Sequence, residues 1–207
     1  MHVIFSISLG LSTAATAVMA QRIGAGNTDG ARNFARDSLI LSVLLMAIVA
    51  VIGLLTIDLV FSAIGATGTT LVQVKSFMTV FYPSALVLVI PMVSNGMLRG
   101  AGDTRWPAII MVIVAILNAA LDPLLIFGIG PVPALGLQGA AWATLLARVV
   151  SVFIALGILH YREHLISWSR PAWKSLVDSL RQIVQVGLPS ATTNSVTPLA
   201  TGLVKAV

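Results

Sequence analysis

The chain has 207 residues, of which 57% are hydrophobic and only 9% charged, and its net charge is +5. A soluble domain is roughly half apolar and about a quarter charged, so this sequence cannot cover itself with a polar surface and predicts an all-α integral membrane protein. Cysteine is absent, which excludes disulfides and thiolate metal sites. The basic residues lie in short loops between apolar runs, so they indicate membrane orientation and not nucleic-acid binding.

Five apolar runs are long enough to cross the roughly 30 Å hydrocarbon core as helices, which takes about 20 residues each. They cover residues 2–21, 37–57, 76–98, 106–128 and 136–159. The first run could pass for a signal peptide, but no basic segment precedes it, which favours a membrane span. A sixth run begins near Ile183 and reaches Val207. Because that run stops where the chain stops, we expect the sequence to be a fragment of a longer protein.

The segment between the fifth and sixth runs is amphipathic. Its apolar residues from Trp173 to Val184 share one helical face, and Lys174, Asp178 and Arg181 share the other. This pattern predicts an interfacial helix on the cytoplasmic surface. We therefore divide the chain into a five-span bundle (1–165), a linker helix (166–186) and the first span of a second lobe (187–207).

The basic residues are distributed unequally between the two sides of the predicted bundle. The loops after spans one, three and five carry nine Lys and Arg, whereas the opposite loops carry only Lys75. The nine are Arg22, Arg32, Arg36, Arg99, Arg105, Arg162, Arg170, Lys174 and Arg181. The positive side of a membrane protein is normally cytoplasmic, so these loops are predicted to lie in the cytoplasm. The predicted location of the protein is the plasma (inner) membrane.

Two of the basic loops repeat one pattern, GAGNT at Gly24–Thr28 and GAGDT at Gly100–Thr104. Glycine ends a helix by adopting a positive φ, and Asn, Asp or Thr then caps the next helix. The pattern predicts tight helical hairpins. It lacks the spacing of a phosphate-binding loop and is not preceded by a strand.

Span four contains an unusual polar stretch, LNAALDPLLIFG. Asn118 and Asp122 are four residues apart, so their side chains project from the same face of a helix. Pro123 lacks an amide hydrogen and crowds the carbonyl of Ala119, which predicts a helix bend and an unpaired carbonyl. In hydrocarbon such a cluster of acceptors is costly. It is therefore predicted to face a cavity and to bind a cation, either a proton or Na⁺ at Asp122.

Three further polar residues join this hypothesis. Thr144 lies at a similar depth in span five and offers a hydroxyl; the alternative is a packing residue bonded to its own helix. Asn95 is a weaker candidate, since an interhelical hydrogen bond near a helix end explains it equally well. Arg148, in the middle of span five, faces a water-filled vestibule or pairs with a carboxylate. For Asp122 the alternative is an ordinary, hydrated carboxylate at a helix end.

No set of catalytic residues can be assembled at one depth, so the sequence predicts a protein that is not an enzyme and has no cofactor beyond a coupling ion. His160 and His164 are spaced as zinc ligands can be on a helix. Beside Tyr161, Arg162 and Glu163 they are better explained as membrane-interface residues, and no metal site other than Na⁺ is predicted.

Several motifs together resemble the multidrug and toxic compound extrusion (MATE) family. They are AQRIGAGNTDGARNFAR, NGMLRGAGDTRWP, LNAALDPLLIFG with LGLQGAAWATLLAR after it, and VGLPSATTNS. Each is loose by itself, but their order and spacing match the family along essentially the whole chain. The resemblance identifies the spans as helices two to six and the start of helix seven of a twelve-helix transporter with two six-helix lobes.

The resemblance also implies a function. Family members export cationic or amphipathic compounds in exchange for Na⁺ or protons, and their cation site uses residues that correspond to Asn118, Asp122 and Thr144. It implies that helix one, with its acidic residue, and the second lobe are needed for transport. Two alternatives are a lipid-precursor flippase of a related family, which would line its cavity with several basic residues, and a non-transporting membrane remnant or scaffold.

Overall fold

The computed structural model describes residues 2–63, 68–128, 135–166 and 173–205, and every regular element in these ranges is a helix. The helices are α1 (His2–Gly24), α2 (Thr28–Ala63), α3 (Gly68–Gly100), α4 (Arg105–Phe127), α5 (Leu137–Gly157) and α6 (Trp173–Lys205). A short π-helical segment, Ile158–Arg162, continues α5. The all-α fold is confirmed.

Five of these helices are long and apolar enough to cross a membrane: Ile4–Gly24, Thr28–Asp58, Phe81–Gly100, Arg105–Phe127 and Gln138–Arg162. The five predicted spans are confirmed, with α2 and α3 extending beyond the predicted ends. The sixth run, from about Ile183, falls mostly on residues whose side chains lie outside the described part.

The bundle is organised around α1, which packs against α3 on one side and α6 on another. α2 packs on α3, and α5 joins α4 to the other face of α3. Small and medium-sized side chains fill the contacts of α1, including Ala14, Ala15 and Val18, all buried. Gly96 and Gly100 of α3 face α1 so closely that an added Cβ would overlap the backbone oxygens of Ser12 and Thr16. Glycine is therefore required at both positions.

The two repeated loops form helix caps as predicted. Gly26 and Gly102 adopt positive φ values of 71° and 91°. The Asn27 Oδ1 atom accepts a hydrogen bond from the Gly30 amide at 2.8 Å. In the second loop, Asp103 Oδ1 accepts a bond from the Arg105 amide at 3.0 Å. Each carboxamide or carboxylate thus satisfies an amide at the start of the next helix.

The loops assigned to one side of the membrane contact each other. Arg32 Nε donates to the His164 carbonyl at 2.9 Å, and Arg162 Nε lies 3.8 Å from the Asp103 carboxylate. On the opposite side, Lys75 Nζ pairs with Asp58 at 2.8 Å. The three basic loops therefore share one end of the bundle, which agrees with the alternation of spans used to predict orientation.

The amphipathic segment is helical from Trp173 onward, and it forms the first part of α6, which continues through residues 186 and 187. Residues 167–172 of the predicted linker lie outside the described part. Of its apolar residues, Ile183 is buried, whereas Trp173, Val177 and Val184 are exposed. The side turned to the bundle carries Ser179, which is 1% exposed. Hydrophobicity alone does not detect this contact, since polar groups make it.

A buried carboxylate holds α6 to α2. Asp37 of α2 is fully buried, and its Oδ1 atom accepts bonds from Arg36 Nε at 2.9 Å and Nη2 at 2.7 Å. Its Oδ2 atom accepts bonds from the hydroxyls of Ser175 and, at 3.4 Å, Ser179. We name these four residues the Asp37 clasp. Nearby, Arg22 Nη2 donates to Gln182 Oε1 at 3.0 Å, a second polar link to α6.

Asp37→Asn is expected to destabilise the bundle strongly, because it removes the charge that Arg36 and two serines of α6 bind. Breaking a buried ion pair typically costs about 3–5 kcal/mol. The matched control is Asp58→Asn, which breaks the exposed pair with Lys75 and should cost about 0–1 kcal/mol. Thermal unfolding in detergent measures both. Equal unfolding temperatures for the two variants would contradict a structural role for the clasp.

Candidate functional site

A half-open cavity of about 560 Å³ lies between α1, α3, α4 and α5. It exists because α4 packs extensively on α5 but barely on α3. Its polar wall is formed by Ser12, Asn95, Arg99, Asn118, Thr144, Arg148 and Ser151. Apolar side chains such as Leu88, Met92 and Val114 form the rest. A volume of this size fits a drug-sized molecule, for which sites span about 300–1,000 Å³.

Two asparagines in this cavity have unused acceptors. The Oδ1 atoms of Asn95 and Asn118 are buried and make no hydrogen bond to the described residues. Only two other buried side-chain atoms in the described part share this property, the hydroxyl oxygens of Ser38 and Ser94. An unpaired buried acceptor costs about 1–3 kcal/mol. Two such acceptors in one cavity indicate a place where a donor or a cation binds.

Asp122 lies on α4 one helical turn beyond Asn118 and is half-buried. It is not among the residues that line the cavity, and its carboxylate forms no hydrogen bond or ion pair with the described residues. α4 continues to Phe127, so Asp122 lies within the helix and not in the loop after it. Pro123 is likewise inside α4, so the Ala119 carbonyl does not receive the amide hydrogen that the residue four positions later normally donates.

Thr144 lines the cavity together with Asn118, so the structure brings these two predicted residues together. Its hydroxyl donates to the carbonyl of Ala140 at 2.9 Å, as in the packing alternative. That bond uses the hydroxyl hydrogen and leaves oxygen lone pairs available as acceptors. In the described ranges no three His, Asp or Glu side chains are grouped to hold a metal ion. A cation bound at Asn118 and Thr144 would therefore meet neutral oxygens, whereas elsewhere the cavity is lined by Arg99 and Arg148.

Arg148 also lines the cavity, and its Nη1 atom donates to the Ser84 hydroxyl at 3.2 Å. The sequence alone does not identify this partner. Arg99, which the sequence presents only as a loop charge, lines the same cavity and donates from Nη2 to Ser12 Oγ at 3.0 Å. The spacing could have predicted this, because Arg99 lies four residues after Asn95 and therefore shares its helical face.

Comparison with known proteins identifies the family of the chain that contains this cavity. The family model described as MatE matches residues 1–124, which is more than half of the chain. The chain belongs to the MATE family. The resemblance predicted from the helix-end and LNAALDP motifs is thereby confirmed.

Relatives agree along most of the chain. It is 37% identical to a FAD transporter of Shewanella oneidensis, over 99% of this chain and 45% of that protein. It is 32% identical to a probable multidrug resistance protein NorM of Thermotoga maritima, over 92% of this chain and 41% of that protein. The chain therefore spans less than half the length of these relatives.

Solved structures show the same fold. An outward-facing multidrug resistance MATE family transporter superposes with a TM-score of 0.84 at 32% identity, covering 97% of this chain and 44% of that one. The inward-facing conformation of such a transporter gives a TM-score of 0.80 at 33% identity, covering 93% of this chain and 43% of that one. The described helices thus form about half of a MATE transporter fold.

Asn118→Leu is expected to leave the unfolding temperature unchanged or raised in Na⁺-free buffer at neutral pH, because it removes an unpaired buried acceptor and keeps a side chain of similar size. Added Na⁺, or a lower pH, should stabilise the unmodified protein more than the variant, by binding linkage. Choline chloride controls for ionic strength.

The matched control for this experiment is Asn27→Leu. The Asn27 Oδ1 atom is bonded to the Gly30 amide, so this variant should lose about 1 kcal/mol and keep any response to the cation. A clear loss of stability in Asn118→Leu without added cation, or an unaltered cation response, would contradict an unpaired cation-binding acceptor.

Proposed function

We propose that this chain is part of a cation-coupled antiporter that uses Na⁺ or H⁺ to export amphipathic compounds by alternating access. Asp122, Asn118 and Thr144 form its coupling site, and Asn95 adjoins it. The observation that carries the proposal is the pair of unpaired amide oxygens, of Asn95 and Asn118, in one cavity of the MATE fold. Asn118 lies one turn from the carboxylate of Asp122 inside a membrane-spanning helix.

The chemistry of these groups suits ion coupling. A carboxylate within a membrane span is costly while charged, and either a proton or a bound Na⁺ neutralises it. Na⁺ prefers oxygen ligands, which Asn118, Thr144 and Asp122 supply from adjacent turns and helices. Pro123 interrupts the hydrogen bonding of α4 next to Asp122, so the helix can change its bend at the point where charge is gained or lost.

Transport then requires two conformations with different affinities for the cation. Binding at Asp122 shifts the equilibrium toward the conformation that binds the cation better, and this releases the substrate on the opposite side. In such transporters two helical bundles move against each other around a site near the membrane midplane. We propose that helix one and a second lobe complete the transporter and enclose the cavity.

The proposed location is the plasma (inner) membrane, with the lipid bilayer around the bundle and the basic loops in the cytoplasm. Support comes from the excess of Lys and Arg in these loops and from their mutual contacts, such as Arg32 with His164. The Shewanella and Thermotoga relatives are named as a transporter and a resistance protein, and we propose no enzymatic activity.

The substrate class is inferred from the cavity and from the relatives. We predicted cationic or amphipathic substrates; the cavity favours the amphipathic description, because its wall is largely apolar and its charged residues are positive. One relative is named a FAD transporter and another a probable multidrug resistance protein, and FAD and drugs are both organic compounds. Arg99 is a second basic residue in the cavity, which supports the flippase alternative. The match to the MATE family and the alignment of nearly the whole chain with a transporter nevertheless favour an antiporter.

Asp122→Asn in the full-length protein that carries this chain is expected to abolish export of an amphipathic fluorescent dye, since the amide cannot bind a proton and holds no charge for Na⁺. Membrane insertion should be unchanged, because the substitution preserves side-chain size. Dye efflux from loaded cells, normalised to membrane protein, measures the effect.

The control is Asp58→Asn, which removes an exposed carboxylate from α2 and should leave export intact. Efflux by the Asp122→Asn protein at the rate of the control would exclude Asp122 from coupling and, with it, the proposed mechanism.

A further inference from the structure

Two arginines share the cavity, and no acidic side chain lines it among the described residues. Arg148 is half-buried near the middle of a membrane span, where an unneutralised cation is expensive. Arg99 lies near the end of α3. Both line the cavity together with Asn95 and Asn118, so the charges that the described residues bring to the cavity are positive.

The partners of these arginines are neutral. Arg148 donates to the Ser84 hydroxyl and Arg99 to the Ser12 hydroxyl. A hydroxyl accepts a hydrogen bond but does not balance a charge. Each guanidinium has five N–H donors in a planar fork, and one of the five is used in each of these bonds. Donors that fit a carboxylate or phosphate therefore remain on both side chains.

Several other basic residues of the described part have acidic partners, although Arg22 donates to the neutral Gly30 carbonyl and Gln182 amide oxygen. Arg36 and Arg162 each lie beside a carboxylate, at 2.7 Å and 3.8 Å, and Lys75 pairs with Asp58. The arginines of the cavity have serine hydroxyls as partners. Their guanidinium groups therefore stay available to an anionic ligand, because no internal carboxylate among the described residues competes for them.

The rest of the cavity is apolar. Leu9, Leu88, Met92 and Val114 line it beside the two arginines. An organic ring system can bury its surface against these side chains, which supplies about 25 cal/mol per Å² of apolar area. A cationic head group would instead meet two like charges, and these would oppose its binding.

We propose that this cavity selects amphipathic anions: compounds with an apolar ring system and a carboxylate or phosphate group that Arg148 and Arg99 bind. The inference rests on the proposed function, because it names the substrate class of that cavity. Arg148 is the main specificity-determining residue, since it lies deepest in the membrane, and Arg99 assists from the helix end.

Two dyes with one ring system separate charge from shape. Fluorescein is an anion, whereas rhodamine 6G is an ester without a free carboxylate and is a cation, and both contain the same xanthene core. The full-length protein in lipid vesicles, driven by an imposed Na⁺ or H⁺ gradient, should transport fluorescein in preference to the rhodamine. Competition by a phosphate ester of fluorescein and by fluorescein itself then distinguishes phosphate from carboxylate recognition.

Arg148→Gln should weaken fluorescein transport and binding about tenfold or more, because a charge-assisted hydrogen bond is lost. Arg148→Lys should recover part of the effect, since the ammonium keeps the charge without the planar fork. Arg105→Gln is the matched control: it removes the same charge at the exposed start of α4, outside the cavity. It should leave the preference for fluorescein unchanged.

Fluorescence polarisation of fluorescein with the solubilised protein provides a readout that is independent of transport. Absence of binding, or binding unaffected by Arg148→Gln and Arg99→Gln, would overturn the proposal. So would an equal loss of fluorescein and rhodamine transport in Arg148→Gln, which would indicate a structural ion pair with another part of the protein. If the rhodamine is preferred while Asp122→Asn still stops transport, the anion proposal fails and the coupling proposal stands. If Asp122→Asn transports normally, the coupling proposal fails instead.

Discussion

The close contact of α1 with α3 is the constraint on which the site depends. Gly96 and Gly100 leave no space for a side chain between α3 and the backbone of α1. Within this contact Ser12 donates to the Met92 carbonyl at 2.7 Å and accepts from Arg99 at 3.0 Å. Because lipid offers no hydrogen bonds, such internal bonds between helices are the available means of satisfying these groups. The contact thus fixes one wall of the cavity and the position of Arg99.

The opposite wall is held differently. α4 and α5 form a hairpin in which Gly139 lies against the carbonyl of Leu125, and the Leu135 amide donates to that carbonyl at 3.0 Å. Within this hairpin α5 packs on α3, whereas α4 reaches the core through few buried residues, of which Ile110 is one. One wall is therefore tightly packed, and α4 forms a loosely attached wall opposite it. Asn118, Asp122 and Pro123 all belong to the loosely attached wall, where a change of charge can move a helix at low cost.

Much of the fold could be predicted from the sequence, because the signals involved are local. The apolar runs predicted five spans, and the glycines with Asn27 and Asp103 predicted two hairpin caps. The Asp37 clasp could not be predicted. Asp37 stands beside Arg36 at the start of a span and resembles any interfacial charge until Ser175, 138 positions later, is placed against it. The amphipathic pattern of α6 likewise does not distinguish the two serines that contact Asp37 from its other polar residues.

The candidate site shows the same division. Asn118 and Thr144 were predicted from residue type and depth, and the cavity contains both. The placement of Asp122 outside the cavity lining required coordinates, because residues one turn apart can differ in which neighbour they reach. Arg99 was overlooked since its position near a loop explained its charge. The sequence shows where a charge is costly, but only the packing of helices shows which charges share one volume.

Because α6 is long, the contacts of the Asp37 clasp affect the position of residues far from it. The helix has 33 residues, and the clasp grips it at Ser175 and Ser179, close to its first turn. From Ser179 to Lys205 the helix axis extends roughly 39 Å at about 1.5 Å per residue. A difference of about 10° in helix direction corresponds to roughly 7 Å at that distance, more than the rise of one helical turn. The buried carboxylate, together with the packing of α6 on α1, therefore sets where the far end of this long helix lies.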